Sequence, residues 1–301
     1  MIVRILGSAA GGGVPQWNCA CSNCRAARMG VQPFRLQSSF ALSDDGERWY
    51  LVNVSPDVAA QIEAFPPLQP RGLRGTPILG ALITDANVDH LGGLMVLRQQ
   101  GEHHFVLRSS QLVRSIATSQ PAFAPFTEPP HRWQAVEPDV PCPSVWDGDS
   151  IGSALEVVAH SVRGLTPGYA GRREAPDAAL AFEVIDHRTG GRALFAPIFA
   201  ALHDRLYERI AGVDVAFLDG SFFSDDEMRA LGLGEKSARH LGHQPVGGDG
   251  GTLAAIGTLD NRRIFVHLNN SNPMLDPDSA AARAVAEAGA EIAYDGMEFV
   301  L

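Results

Sequence analysis

The sequence has little positive charge, few cysteines and no long uninterrupted apolar run. With 24 Lys and Arg against 34 Asp and Glu, the formal charge is −10, which argues against nucleic acid or an anionic membrane surface as the main partner. No apolar run is long enough to cross a bilayer. The opening MIVRILGSAAGGG reads as a first strand entering a glycine loop, not as a signal peptide. No Pro/Gly/Ser-rich linker or charge run divides the 301 residues, so one domain over 1–301 is expected, with 45% hydrophobic residues to build its core. Four cysteines are too few for a disulfide scaffold. Three of them, Cys19, Cys21 and Cys24, crowd into NCACSNC, and Cys142 stands alone in a proline-flanked loop. The expectation is a cytoplasmic protein, without membrane insertion, that handles something small; in a reducing compartment such a cluster binds metal more often than it forms a disulfide.

What is present is a long series of strand-like runs: 2–6, 38–43, 49–54, 77–84, 104–108, 154–162, 180–185, 193–198, 213–219 and 263–269. LAFEVID-HRTGG-RALFAPI carries the turn residues of a hairpin. Helical periodicity marks 56–65, 94–100, 110–119, 202–210 and 278–289, the last with a cap signal in Asp276-Pro277-Asp278 and an end at Gly289. Strand pairs dominate the first half, and helices then alternate with strands, which predicts α/β layers around mixed sheets. Residues 119–150 and 164–178 read as irregular, either binding loops or surface insertions.

Three strand ends deliver ligand-type residues. ILGALITDANVDHLGGL places Asp85, Asn87, Asp89 and His90 after a buried strand, where α/β folds commonly put their chemistry. These four residues allow two readings: a metal site, or a capped helix start with Asp89 and His90 facing solvent. VAFLDGSF ends a second strand at Asp219, and IFVHLNNSNP ends a third at His267, with amides close behind. NCACSNC offers three thiolates within six residues, enough to wrap a zinc that lacks only its fourth ligand, in a role that ties the N-terminal loop to the core.

The order VDHLGGL, LDGSF, VHLNNSNP resembles the metallo-β-lactamase superfamily, whose first motif is His-x-His-x-Asp-His. GSAAGGGVPQWNCACSNCRAAR, TDANVDHLGGL and FVHLNNSNP more closely resemble the family of pyrroloquinoline quinone (PQQ) biosynthesis B proteins, over nearly the whole chain. The resemblance implies an αββα sandwich. On the superfamily motif this chain has Asp85 and Asn87 where the first two histidines belong, and keeps Asp89 and His90. The resemblance therefore implies loss of the first metal site and retention of the second, on Asp89, His90 and His267 with Asp219 as a fourth ligand. His160 does not fit the middle-strand motif and reads as structural.

Two histidines and one carboxylate with open positions form the ligand set of non-haem Fe(II) oxygenases, although zinc accepts the same residue types. The resemblance implies iron-dependent hydroxylation, with O₂, of the tyrosine ring in a Glu-Tyr unit, alongside other enzymes of the PQQ pathway. A carrier of PQQ or its precursor and a zinc hydrolase or phosphodiesterase remain as alternatives. Asp85 and Asn87 are expected to line the cavity, orienting ligands or holding substrate. His243, in GHQPVGG, occupies a context in which related branches supply a proton donor or a residue that supports the ligands, which makes it the first candidate for an acid/base or substrate-contacting residue, and His240 reads as surface. A phosphodiesterase branch completes its cysteine zinc site with a histidine at the position of Asn270, leaving the fourth ligand open here. Gly11, Gly12 and Gly13 lack the ending of a phosphate loop and are expected to permit close backbone approach. His103 and His104 read as edge residues. Arg172 and Arg173 are either substrate contacts or solvated loop charges.

Overall fold

The computed structural model describes residues 1–98, 104–142 and 154–301. In chain order the strands are β1 (Ile2–Gly7), β2 (Ser39–Ser43), β3 (Trp49–Val52), β4 (Ile78–Leu82), β5 (Val106–Ser109), β6 (Arg132–Ala135), β7 (Pro141–Cys142), β8 (Leu155–Val162), β9 (Ala179–Asp186), β10 (Arg192–Ala196), β11 (Val215–Asp219), β12 (Arg262–Val266), β13 (Glu291–Ile292) and β14 (Glu298–Val300). They form two seven-stranded sheets, ordered β14-β1-β2-β3-β4-β5-β6 and β13-β12-β11-β10-β9-β8-β7. Each sheet is antiparallel on one side and parallel on the other: β3 to β6 run parallel in the first, and β10 to β13 in the second.

Apolar side chains divide into three buried layers. One lies between the sheets, where Phe217 stacks on Phe195 at 5.1 Å between ring centres and Phe40 meets both rings edge-on or tilted. A second packs the outer face of the first sheet against the helices Val58–Glu63 and Gln111–Thr118. The third packs the second sheet against Asp204–Ala211 and Ala280–Glu287. This is the expected αββα sandwich. Strands covered on both faces need apolar residues throughout, which is why β3 and β11 read as continuous hydrophobic runs.

Some expectations shift. The long helix near the C-terminus is capped by Ser279, whose hydroxyl accepts from Ala282 N–H, rather than by the Asp276–Asp278 segment. Segment 119–150 is not simply irregular: it holds a 3₁₀ helix, Pro121–Thr127, then β6 and β7, while 143–150 lie outside the described residues. The loop 164–178 contains a short 3₁₀ turn, Gly168–Ala170, and an isolated bridge between Leu165 and Glu174. His104 is exposed just ahead of β5, and His103 lies outside the described residues. Among the described residues no helix is long and apolar enough to cross a membrane.

Candidate metal centre

The parallel strands β4, β11 and β12 end on the same rim of the sandwich, so their C-terminal residues converge. After β4 the chain is pinned to the opposite sheet: Leu180 N–H donates to Thr84 O at 2.8 Å, and Asp85 bridges to Ala179. The short helix Val88–Leu91 then turns back under Val54, whose N–H donates to His90 O. The paired glycines of VDHLGGL permit this approach, since a Cβ on Gly93 would sit 2.0 Å from Ser55 O. Gly11 does the same from the other side. A Cβ there would lie 3.1 Å from the Asp89 carboxylate, which accounts for a glycine in that loop.

One oxygen of Asp89 and nitrogens of His90 and His267 lie within 4.8 Å of one another. Asp89 Oδ2 is 3.1 Å from His267 Nε2 and 3.8 Å from His90 Nε2. His90 is fully buried, and among the described residues its Nε2 has no hydrogen-bond partner. A buried imidazole nitrogen left bare is costly unless something occupies the space it faces. That orphaned nitrogen, with a carboxylate and a second imidazole beside it, fits a mononuclear metal. His267 adopts a left-handed backbone, φ +58°, an uncommon conformation for a non-glycine residue and one often found at functional sites.

Behind these three residues stands a layer that fixes the rings. Asp85 is 1% exposed, and its carboxylate hydrogen-bonds His90 Nδ1, Thr84 Oγ1 and both the backbone and side-chain N–H of Asn87. It does not line the cavity, but it orients a ligand as expected, holding His90 by Nδ1 so that Nε2 is turned toward Asp89. Asp219 is also fully buried. Its Oδ1 accepts from Ser221 N–H and Oγ–H, and its Oδ2 from His243 Nδ1–H and Phe199 N–H. With the Ser221 proton on Asp219, His267 Nδ1–H donates to Ser221 Oγ at 2.7 Å, and its Nε2 is directed at Asp89. Asp219, expected as a fourth ligand, therefore has both oxygens engaged and acts as the anchor of two histidines. Asp219, His243 and His267 also cluster within 4.8 Å, but their facing atoms already meet through Ser221.

Burial works against the charged forms, yet the charges sustain one another. His90 is pushed up to about 9 by Asp85 and Asp89 despite its burial. Asp89 is held well below the usual carboxylate range by His90 and His267, and Asp219 is lowered chiefly by His243. A metal would have to displace the His90 proton to bind.

A cavity of about 230 Å³ opens over Asp89 and His267, lined also by His243, Asn87, Asn269 and Arg172 among others. Asn87 and His243 thus reach the cavity as expected. Arg173 turns instead toward Gly171 O. His240 is exposed. His160 spends both nitrogens, on Asp139 at 2.7 Å and Glu183 at 3.1 Å, in keeping with a structural role. Sequence reasoning missed Ser221, although LDGSF placed a hydroxyl two residues beyond Asp219.

The cysteines form a second cluster. Cys19, Cys21 and Cys24 offer sulfurs within 4.8 Å, Cys24 from the helix Ser22–Arg28 that the sequence reading left out. Burial, then the neighbouring sulfurs, push the Cys24 thiol up to about 11. The Asn270 amide nitrogen lies 3.1, 3.5 and 3.4 Å from the three sulfurs, at the fourth corner. Asn23 ties this loop to Asn270 O and Asn272 O.

Residues 48–268 match the β-lactamase superfamily domain. Coenzyme PQQ synthesis protein B of Methylococcus capsulatus is 38% identical, and that of Azotobacter vinelandii 40%, each alignment covering 100% of both chains. The crystal structure of zinc-bound PqqB from Methylobacterium extorquens superposes with a TM-score of 0.91 at 36% identity, covering 100% of both chains. A diphosphatase of the PhnP family shares the fold, with a TM-score of 0.68 at 18% identity over 99% of this chain and 96% of that one. The chain belongs to the coenzyme PQQ synthesis protein B family of the β-lactamase superfamily.

Proposed function

We propose that this chain acts in the cytoplasm in the biosynthesis of PQQ, as an Fe(II)-dependent oxygenase that hydroxylates the tyrosine ring of a Glu-Tyr precursor. The relatives' names support the pathway. The observation that carries the activity is the triad Asp89, His90 and His267 with its bare His90 nitrogen, combined with the burial of Asp85 behind it. Asp85 and Asn87 stand where the superfamily's first pair of histidines would be, and Asp85 is committed to His90. A two-metal hydrolytic centre needs ligands for both ions, and in the second cluster Ser221 Oγ already bonds Asp219, His243 and His267, which supports the single-metal reading.

Fe(II) bound to the triad would supply O₂ activation and oxygen insertion, with an external two-electron reductant taking the second oxygen atom to water. The residues do the rest. Asp85 and Ser221 fix the two imidazoles by their Nδ1 atoms, so that both Nε2 atoms are turned toward Asp89. His243, held at Nδ1 by Asp219, is left with Nε2 to exchange a proton with a phenol in the cavity. Zinc is expected at the cysteine cluster, where it would hold the loop structurally.

The test is single turnover with protein loaded anaerobically with Fe(II) or Zn(II), mixed with Glu-Tyr, reductant and ¹⁸O₂. Label on the ring with iron alone supports the oxygenase. Tight binding of PQQ with no labelled product from either metal would support a carrier, and hydrolysis dependent on two zinc ions would support a hydrolase.

A further inference from the structure

The cavity wall is acidic at its base, and among the described residues Arg172 is the one Arg or Lys that lines it. Its surroundings set it apart from the other cations of the same loop. Arg163 is taken by Glu174 in a two-point contact, and Arg173 points toward Gly171 O. Arg172 is paired with no carboxylate among the described residues; one Nη2 donates to His240 O at 3.2 Å, and its remaining N–H groups are left for a ligand.

The loop that carries it is built rather than loose. Thr166 holds the residues on either side of Arg172: its hydroxyl donates to Gly171 O, and its N–H donates to Arg173 O at 2.9 Å. Leu165 bridges Glu174 and packs under Gly242, while the Tyr169 hydroxyl donates to Ala86 O, next to Asn87. A guanidinium presented this way, over a cavity whose one carboxylate wall among the described residues is Asp89, suits a planar anion arriving at the cavity mouth.

We propose that Arg172 is a specificity-determining residue that receives a carboxylate of the substrate and thereby orients the substrate's other end toward the Asp89–His90–His267 triad. This rests on the reading of a small peptide-derived substrate given above. A forked pair of N–H···O bonds supplies both affinity and direction. The cavity, at about 230 Å³, is smaller than the roughly 300–1,000 Å³ of typical ligand pockets, which leaves the carboxylate end at the rim where Arg172 lies.

The experiment is calorimetric titration of zinc-loaded protein, wild type, Arg172→Gln and Arg172→Lys, with Glu-Tyr, Gln-Tyr and Glu-Tyr amide. Arg172→Gln is expected to weaken Glu-Tyr by roughly 10- to 100-fold, the scale of a charge-assisted hydrogen bond. The loss should vanish for whichever analogue lacks the paired carboxylate, and Arg172→Lys should restore part of it. Equal weakening of all three ligands, no weakening, or no binding of Glu-Tyr by wild type would overturn the proposal. If the Arg172 dependence holds while iron-loaded protein fails to hydroxylate, the carboxylate site stands and the oxygenase reading falls. If hydroxylation proceeds with no Arg172 dependence, the reverse is true.

Discussion

His90 keeps one nitrogen for the cluster with Asp89 and His267 because Asp85 takes the other, so the inner ligands and their supports are separate sets of residues. Asp85→Asn is therefore expected to lower metal affinity roughly 10- to 100-fold, measured by chelator competition, with KM for substrate moved little. A change in KM with metal affinity intact would mean that Asp85 touches substrate instead. Gly11→Ala presses a methyl group against the Asp89 carboxylate, 3.1 Å away. It should weaken metal binding several-fold while leaving the unfolding midpoint within about 2 °C, the scale of a substitution costing under 1 kcal/mol. The sequence named Asp89, His90 and His267 from their spacing and their resemblance, but spacing does not say which imidazole nitrogen is already taken. That is why Asp85 read as part of the cavity wall, and why Ser221, which settles the orientation of His267, went unnoticed.

At the scale of elements, the short helix Glu227–Ala230 begins with a carboxylate that braces the loop after β12. Glu227 accepts from Ser271 Oγ and from Phe223 N–H, and burial pushes it up to about 7 in spite of those bonds. Its folded value lies above its unfolded value, so the native state binds more protons across the window from about 4.5 to 7. Stability contributed by the protonated form is present at low pH and is lost as pH rises through that window. Glu227→Gln should remove the loss, gaining roughly 2–3 kcal/mol on wild type between pH 5 and pH 8 in denaturant titrations. A parallel pH dependence in the two proteins would contradict it. The elements legible in the sequence are those with long apolar runs, such as β8, β9 and β11. The missed strands β6, β7, β13 and β14 have four residues or fewer; β14, for instance, exists because Val300, Phe299 and Glu298 pair with β1 at the far end of the chain. Hydropathy windows do not see such pairings.

For the molecule as a whole, the triad draws Asp89 and His90 from one sheet and His267 from the other. Its geometry therefore depends on how the two sheets pack. Phe217, in the layer between them, touches Phe40, Phe195 and Phe299. Phe217→Ala should cost about 3–5 kcal/mol and lower metal affinity as well, whereas a cavity of equal size in an outer layer should spare the metal. Composition and strand count made the α/β class legible, but only the resemblance suggested which strand ends meet. The measurement that tests the central claim most directly is anomalous diffraction at the iron edge from crystals loaded anaerobically with Fe(II). The account expects one iron peak, held by Asp89, His90 and His267, with Asp219 still bonded to Ser221 and His243. A second peak between Asp219, His243 and His267 would contradict it, and would make this a two-metal centre.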